Sequence, residues 1–253
     1  MAETHRIDVD GETVVADVHD GPLDDDAADP ERPWFVCCHG LRSDRTGSYE
    51  GRCERAVAEG YPAVRFDFRG CGDSDGQFVD STLESRLADL GAVLEFVDPE
   101  TCVLFGSSFG GTVALHAAAT FAADRVEAVV TRAPVTYTRA FDGYREQVAA
   151  EGEIVLEDEH SDRTQRIDER FFEVLERYPF EPVARDLAVP VAIAHGRDDE
   201  SVPVEDSLEA AGALETDVAC WLYAGEGHRF SRAAERRLRE ATVGWLEEGG
   251  IAP

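Results

Sequence analysis

The chain has 253 residues, 43% of them hydrophobic, which is enough for one domain with a full core. Asp and Glu number 53 against 24 basic residues, for a formal net charge of -29. A surface of that sign repels polyanions, which excludes nucleic acid and anionic membranes as partners.

The chain opens with an alternating segment, Ile7, Val9, then Thr13, Val14, Val15 and Val18, with Gly11 between the halves; this predicts an N-terminal hairpin. An acidic, Pro-flanked loop is expected over residues 20–33. Trp34-Phe35-Val36-Cys37-Cys38 reads as a buried strand and residues 52–59 as a helix. A strand follows over residues 63–68, and an amphipathic helix over 83–97. Cys102-Val103-Leu104-Phe105 is a strand running into an Ala-rich helix over 109–121. Further strands are expected at 126–131, 191–194 and 218–223, and a last helix at 233–246. Apolar strands separated by helices predict a mainly parallel sheet covered on both faces. One stretch breaks this rhythm. Residues 136–186 are charged, carry helical patterns near 141–150 and 165–178, and are too long for a simple strand–helix connection. They are expected to form a small cap inserted in a single domain spanning 1–253.

The acids are spread along the chain apart from a burst at Asp24, Asp25 and Asp26, and every basic residue is Arg. This predicts a surface adapted to concentrated salt, where carboxylates stay hydrated and self-repulsion is screened. The six cysteines (Cys37, Cys38, Cys53, Cys71, Cys102 and Cys220) show no metal-ligand spacing, and those in strand-like runs act as small hydrophobes. The segment Met1-Ala2-Glu3-Thr4-His5-Arg6 lacks the regions of a signal peptide, and no apolar run is long enough to span a bilayer. A reducing cytoplasm is the expected compartment.

The chemistry centres on Gly106-Ser107-Ser108-Phe109-Gly110-Gly111, a G-x-S-x-G match with a strand before it and a helix after it. In that setting Ser108 stands on a sharp turn at a helix N-terminus, where backbone N–H groups favour developing negative charge. Serine needs a base. Of seven histidines, His228 lies in Ala224-Gly225-Glu226-Gly227-His228, after the last strand and before the last helix, where the order Ser, acid, His puts the base. The acid belongs after a strand between them. His195-Gly196-Arg197-Asp198-Asp199-Glu200 offers three carboxylates there. Two backbone donors are needed for an oxyanion. Phe109, after the nucleophile, and Leu41, in the loop Cys38-His39-Gly40-Leu41, are the candidates. Arg132, Tyr137, Phe141 and Tyr144 are candidates for lining an acyl channel.

Taken together, the His39-Gly40 turn, Phe66-Asp67-Phe68-Arg69-Gly70-Cys71-Gly72-Asp73-Ser74-Asp75-Gly76, the elbow at Ser108, an H-G-x-x-D-x-x-V-P run from His195 to Pro203, and G-x-G-H at His228 resemble α/β-hydrolases of the serine aminopeptidase and esterase type. The run His39-Gly40-Leu41-Arg42-Ser43-Asp44-Arg45-Thr46-Gly47-Ser48 is similar to the corresponding loop of the mitochondrial palmitoyl-protein thioesterase (mycophenolic acid acyl-glucuronide esterase) group and its bacterial relatives. The resemblance implies an α/β-hydrolase fold, Asp199 as the acid with Asp198 behind it, and His195 as a turn residue. It implies hydrolysis of a small-molecule ester or thioester without metal or cofactor. The charged insertion matches no pattern of that group. A peptidase or amidase, and an inactive binding protein on the same fold, are the competing readings.

Overall fold

The computed structural model describes residues 2–19, 33–156 and 164–251; the expected acidic loop before Pro33 and the insertion's His160 lie outside them. Strands β1 (Ala2–Val9) and β2 (Glu12–His19) pair antiparallel through a two-residue turn, Asp10-Gly11. Both turn residues have positive φ, 56° and 85°, the combination a tight hairpin requires and Asp-Gly supplies at low cost.

From there strands and helices alternate: β3 (Trp34–Cys38), α1 (Ser48–Ala58), β4 (Ala63–Asp67), α2 (Leu83–Val97), β5 (Cys102–Ser107), α3 (Phe109–Ala118) and β6 (Val126–Arg132). After the insertion come β9 (Val191–Gly196), α7 (Val204–Ala213), β10 (Val218–Tyr223) and α8 (Arg232–Glu248). Among the described residues the main sheet runs β1-β2-β4-β3-β5-β6-β9-β10. Among the described residues β2 runs opposite to the rest of this sheet, antiparallel to both β1 and β4, and from β4 to β10 the pairs are parallel.

Alternate strand residues feed opposite layers, as period-two geometry demands. Val36, Val64, Leu104, Val129 and Ile193 join the core beneath α2 and α3. Phe35, Cys37, Val103, Phe105, Val130 and Ala192 join the one beneath α1 and α8. The central strands are therefore buried on both faces, which is why they read as continuous apolar runs. The chain passes from β3 outward to β4 and then returns to β5 on the other side of β3. The loops leaving β3 and β5 part there, at the reversal of strand order where open α/β sheets place ligands.

Between β6 and β9 lie a 3₁₀ turn (Thr138–Phe141), α4 (Asp142–Glu151), the antiparallel pair β7 (Glu153–Leu156) and β8 (Gln165–Asp168), α5 (Glu169–Leu175) and α6 (Phe180–Asp186). The helix predicted over 165–178 starts only at Glu169. Gln165 and Ile167 alternate inward, and Ile167 pairs with Ile154 across the hairpin. Asp168 then caps α5 by accepting the Arg170 N–H at 3.0 Å. The expected patterns also omitted α6 and α7. Phe141, Val148, Ile154, Ile167, Phe171 and Phe172 pack into the same core as α3. Among the described residues no helix is long and apolar enough to cross a membrane.

Candidate active site

The elbow between β5 and α3 is built by close backbone contact. A Cβ on Gly106 would collide with the Gly110 carbonyl, and one on Gly110 with the carbonyls of Cys38 and His39. Glycine is required at both. Between them Ser108 takes φ 54° and ψ -122°, a conformation that costs a non-glycine residue on the order of 1–3 kcal/mol. Its backbone is pinned on both sides: the Ser108 N–H donates to Arg132 O at 2.9 Å, and Ser108 O accepts from Gly111 at 2.9 Å and Val135 at 3.2 Å.

Ser108 Oγ lies 3.1 Å from His228 Nε2, and His228 Nδ1 lies 2.8 Å from Asp199 Oδ2. The three residues come from the ends of β5, β9 and β10. The His228 loop is fixed by its neighbours. The Glu226 carbonyl accepts from the Asp198 N–H at 2.9 Å, and its carboxylate accepts from Ser231 N and Oγ at 2.7 and 2.8 Å just before α8. The Asp199 side chain is fully buried, whereas that of His228 is 24% exposed, so the imidazole borders solvent while its partner does not. Asp198 is exposed.

Asp199 is held by more than His228. Its Oδ1 accepts the N–H groups of Ser201 and Val202, at 2.8 and 2.9 Å. Its Oδ2 lies 3.1 Å from Nε2 of His195, a side chain with no exposure. His195 Nε2 also faces Val202 O at 3.0 Å. Both neighbours are acceptors, so Nε2 carries the proton and Nδ1 accepts from Ser207 Oγ, 2.7 Å away. Burial alone raises the Asp199 carboxyl. Hydrogen bonds from His195, His228 and the Val202 amide outweigh it and hold the group well below the usual carboxylate range. His195 is thus more than a turn residue; its H-x-x-x-D spacing to Asp199 is the one sequence signal that hints at the contact.

Beside the elbow runs the loop after β3. A Cβ built on Gly40 stands 3.4 Å from Ser108 Cβ, so the backbone next to Leu41 passes directly against the serine. Leu41 and Phe109 are both buried. His39 Nδ1 donates to Gly40 O at 2.8 Å while Nε2 accepts the Phe68 N–H at 3.1 Å. Burial, reinforced by the Arg86 charge, lowers the His39 pKa to about 3, so the ring stays neutral in this role.

The four residues proposed to line an acyl channel part company. Tyr137 lines a cavity of about 360 Å³ with Thr112, Tyr178, Phe180 and Glu181, against α3 one turn beyond Ser108. Phe141 is packed between Phe109 and Phe171, at ring distances of 5.8 and 5.4 Å, and Tyr144 stacks on Phe141 at 6.3 Å. Arg132 points the other way. It pairs with Glu235 of α8 and donates to Ser107 Oγ at 2.5 Å. Glu235 also pairs with the buried Arg52, so a carboxylate between two guanidiniums ties α1, α8 and the elbow together. The Arg132 bond gives Ser107 Oγ a partner of its own, distinct from the His228 contact of Ser108. Among the described residues no group of three or more His, Cys, Asp or Glu is arranged to hold a metal ion.

Residues 86–249, more than half of the chain, match the prolyl oligopeptidase family. The chain belongs to the prolyl oligopeptidase family. This family member also resembles the mitochondrial palmitoyl-protein thioesterase ABHD10 of Mus musculus, at 28% identity over 73% of the chain and 64% of the relative. It is 37% identical to the quorum-quenching protein AidA of Acinetobacter baumannii over a shorter stretch, 46% of the chain and 38% of AidA. The matched stretches thus span less than two thirds of either relative. Among solved structures, one from Agrobacterium vitis S4 assigned as a hydrolase superimposes with TM-score 0.83 at 28% identity, covering 96% of this chain and 98% of that one. Mouse ABHD10 superimposes with TM-score 0.81 at 23% identity, over 98% of this chain and 99% of that one. The family member therefore has the α/β-hydrolase fold.

Proposed function

We propose that this protein is a serine hydrolase that cleaves carboxylic esters or thioesters through an acyl-enzyme on Ser108. The observation that carries the reading is the hydrogen-bonded chain from Ser108 Oγ through His228 to the buried Asp199. In the reaction, His228 Nε2 takes the Ser108 proton as Oγ adds to the acyl carbon. Asp199 keeps the proton of His228 on Nδ1 and stabilises the imidazolium without taking that proton. The N–H groups of Leu41 and Phe109 receive the oxyanion. Its collapse expels the alcohol or thiol, which leaves with the proton from His228. A water then repeats the sequence on the acyl-enzyme and regenerates Ser108. Tyr137 is the residue we assign to the acyl side, since it lines the cavity above α3.

The resemblance to a protein named as a palmitoyl-protein thioesterase supports an acyl ester or thioester substrate. The family match favours a second reading, peptide cleavage. A panel of p-nitrophenyl esters, acyl thioesters and aminoacyl anilides separates the two. Turnover of esters and thioesters with none of the anilides is the expected result. Wild type should label with a fluorophosphonate and Ser108→Ala should not. Labelling that survives in Ser108→Ala, or is lost in Ser107→Ala instead, would overturn the assignment, and a wild type that does not label at all would point to a binding protein.

A further inference from the structure

Arg86 of α2 is a fully buried cation that, among the described residues, hydrogen-bonds to neutral groups. Nε donates to Ser81 Oγ at 3.1 Å, Nη1 to Gly40 O at 3.3 Å, and Nη2 to Leu41 O at 3.0 Å and Cys71 Sγ at 3.5 Å. The guanidinium also lies over the rings of Phe68 and Phe109, 4.7 and 5.3 Å from their centroids. Asp89, the nearby carboxylate on the same helix, is instead hydrogen-bonded to Arg69. Burying a charge in this way is expensive unless its hydrogen bonds are well made. Two of those bonds end on one short stretch of backbone, the turn after β3.

Gly40 C=O and Leu41 N–H belong to the same peptide group. A planar peptide cannot turn its N–H without turning its carbonyl. That carbonyl is gripped twice, by Arg86 Nη1 and by the neutral His39 Nδ1–H. The next carbonyl, Leu41 O, is gripped by Arg86 Nη2. A donor on the carbonyl also polarises the amide, which strengthens the N–H at its other end. We infer that Arg86 is a positioning residue for the oxyanion site: it fixes and polarises the Gly40–Leu41 peptide, so that the Leu41 N–H is aimed before substrate arrives. The inference rests on the hydrolase reading above and adds to it a residue that touches neither substrate nor Ser108.

The test compares two ligands of the same alkyl chain, a trifluoromethyl ketone and the methyl ketone. With the first, Ser108 Oγ bonds to the ketone carbon, the carbonyl π pair becomes an oxyanion, and the Ser108 proton moves to His228. The second binds chiefly without that adduct. Removing an oxyanion donor costs about 10²–10³ in rate, so misaiming one is expected to cost roughly 10- to 100-fold. Arg86→Met should therefore lose roughly 10- to 100-fold in affinity for the trifluoromethyl ketone and no more than about threefold for the methyl ketone, with kcat falling and KM nearly constant. Arg86→Lys, which keeps the charge but not the forked donors, should fall between. If Arg86→Met does not fold, Ser81→Ala, which releases only Nε, decides the matter through the same ratio, with a loss of roughly 3- to 10-fold expected. An unchanged ratio in the variant read means that Arg86 is packing alone. A wild type that forms no ketone adduct would instead defeat the hydrolase reading itself.

Discussion

Replacing Asp199 by Asn changes one atom, and the surroundings dictate where that atom goes. Oδ1 receives two backbone N–H groups, from Ser201 and Val202, so the amide oxygen of Asn must take that place. The NH₂ group then stands where Oδ2 stood, facing His228 Nδ1 at 2.8 Å and His195 Nε2 at 3.1 Å. His195 can keep its proton by donating to Val202 O. His228 has no such alternative in view; its Nδ1 must become the acceptor, which moves the ring proton to Nε2. That nitrogen faces Ser108 Oγ and can no longer take its proton. A mis-set tautomer costs about 10⁴ in rate, or about 5.4 kcal/mol at 1.36 per tenfold. Asp198 is exposed and His228 Nδ1 is bonded to Asp199, so Asp198→Asn should stay within about threefold of wild type, because an exposed carboxylate contributes little. The assay is stopped-flow acylation with a p-nitrophenyl ester, with urea unfolding to show that both variants fold. An Asp199→Asn variant within tenfold of wild type would refute the tautomer argument, and a larger loss at Asp198 would move the acid by one residue.

Gly110→Ala should cost about 1–3 kcal/mol in urea unfolding, because its methyl meets the Cys38 and His39 carbonyls; a change below about 0.5 would contradict the tight elbow. His116 is buried beside Tyr178, and burial lowers its pKa to about 4. The unfolded chain, near 6.5, binds that proton first, so stability falls as pH drops from about 6.5 to about 4. His116→Phe should remove about 2 kcal/mol of the loss between about pH 7 and pH 5, and an unchanged pH slope would count against it. Tyr137→Ala should shift acyl chain-length preference, whereas Phe141→Ala should act through stability, costing about 3–5 kcal/mol as a buried phenylalanine. An unaltered chain-length profile in Tyr137→Ala would remove it from the acyl site. The net charge of -29 should make melting temperature climb steeply with KCl. The Debye length is already near 3 Å at 1 M, so a rise that continues in multimolar salt marks ion hydration or strengthened apolar burial beyond screening. A flat profile from about 0.05 to about 3 M would end the salt-adaptation reading.

What the sequence determined by itself is the part written in local pattern. Strands buried on both faces read as apolar runs, helices show their periodicity, and Gly106, Gly110 and the positions after β5, β9 and β10 mark where Ser108, Asp199 and His228 lie along the chain. Chain order carries that information because each side chain sits at a strand end, and strand ends are local features. The insertion was legible only as an interruption. Its β7–β8 pair was missed because four-residue strands offer too few repeats to separate period two from helix. The tertiary structure alone decided which partners meet. It put Arg132 against Glu235, 103 residues away, rather than in an acyl channel. It buried Phe141 against Phe109 and carried Arg86 across 46 residues to the Gly40 carbonyl. A buried cation and an exposed one are the same letter in a sequence. Only packing of distant segments removes water from Arg86, and with water gone its hydrogen bonds must end on the backbone that lies within reach.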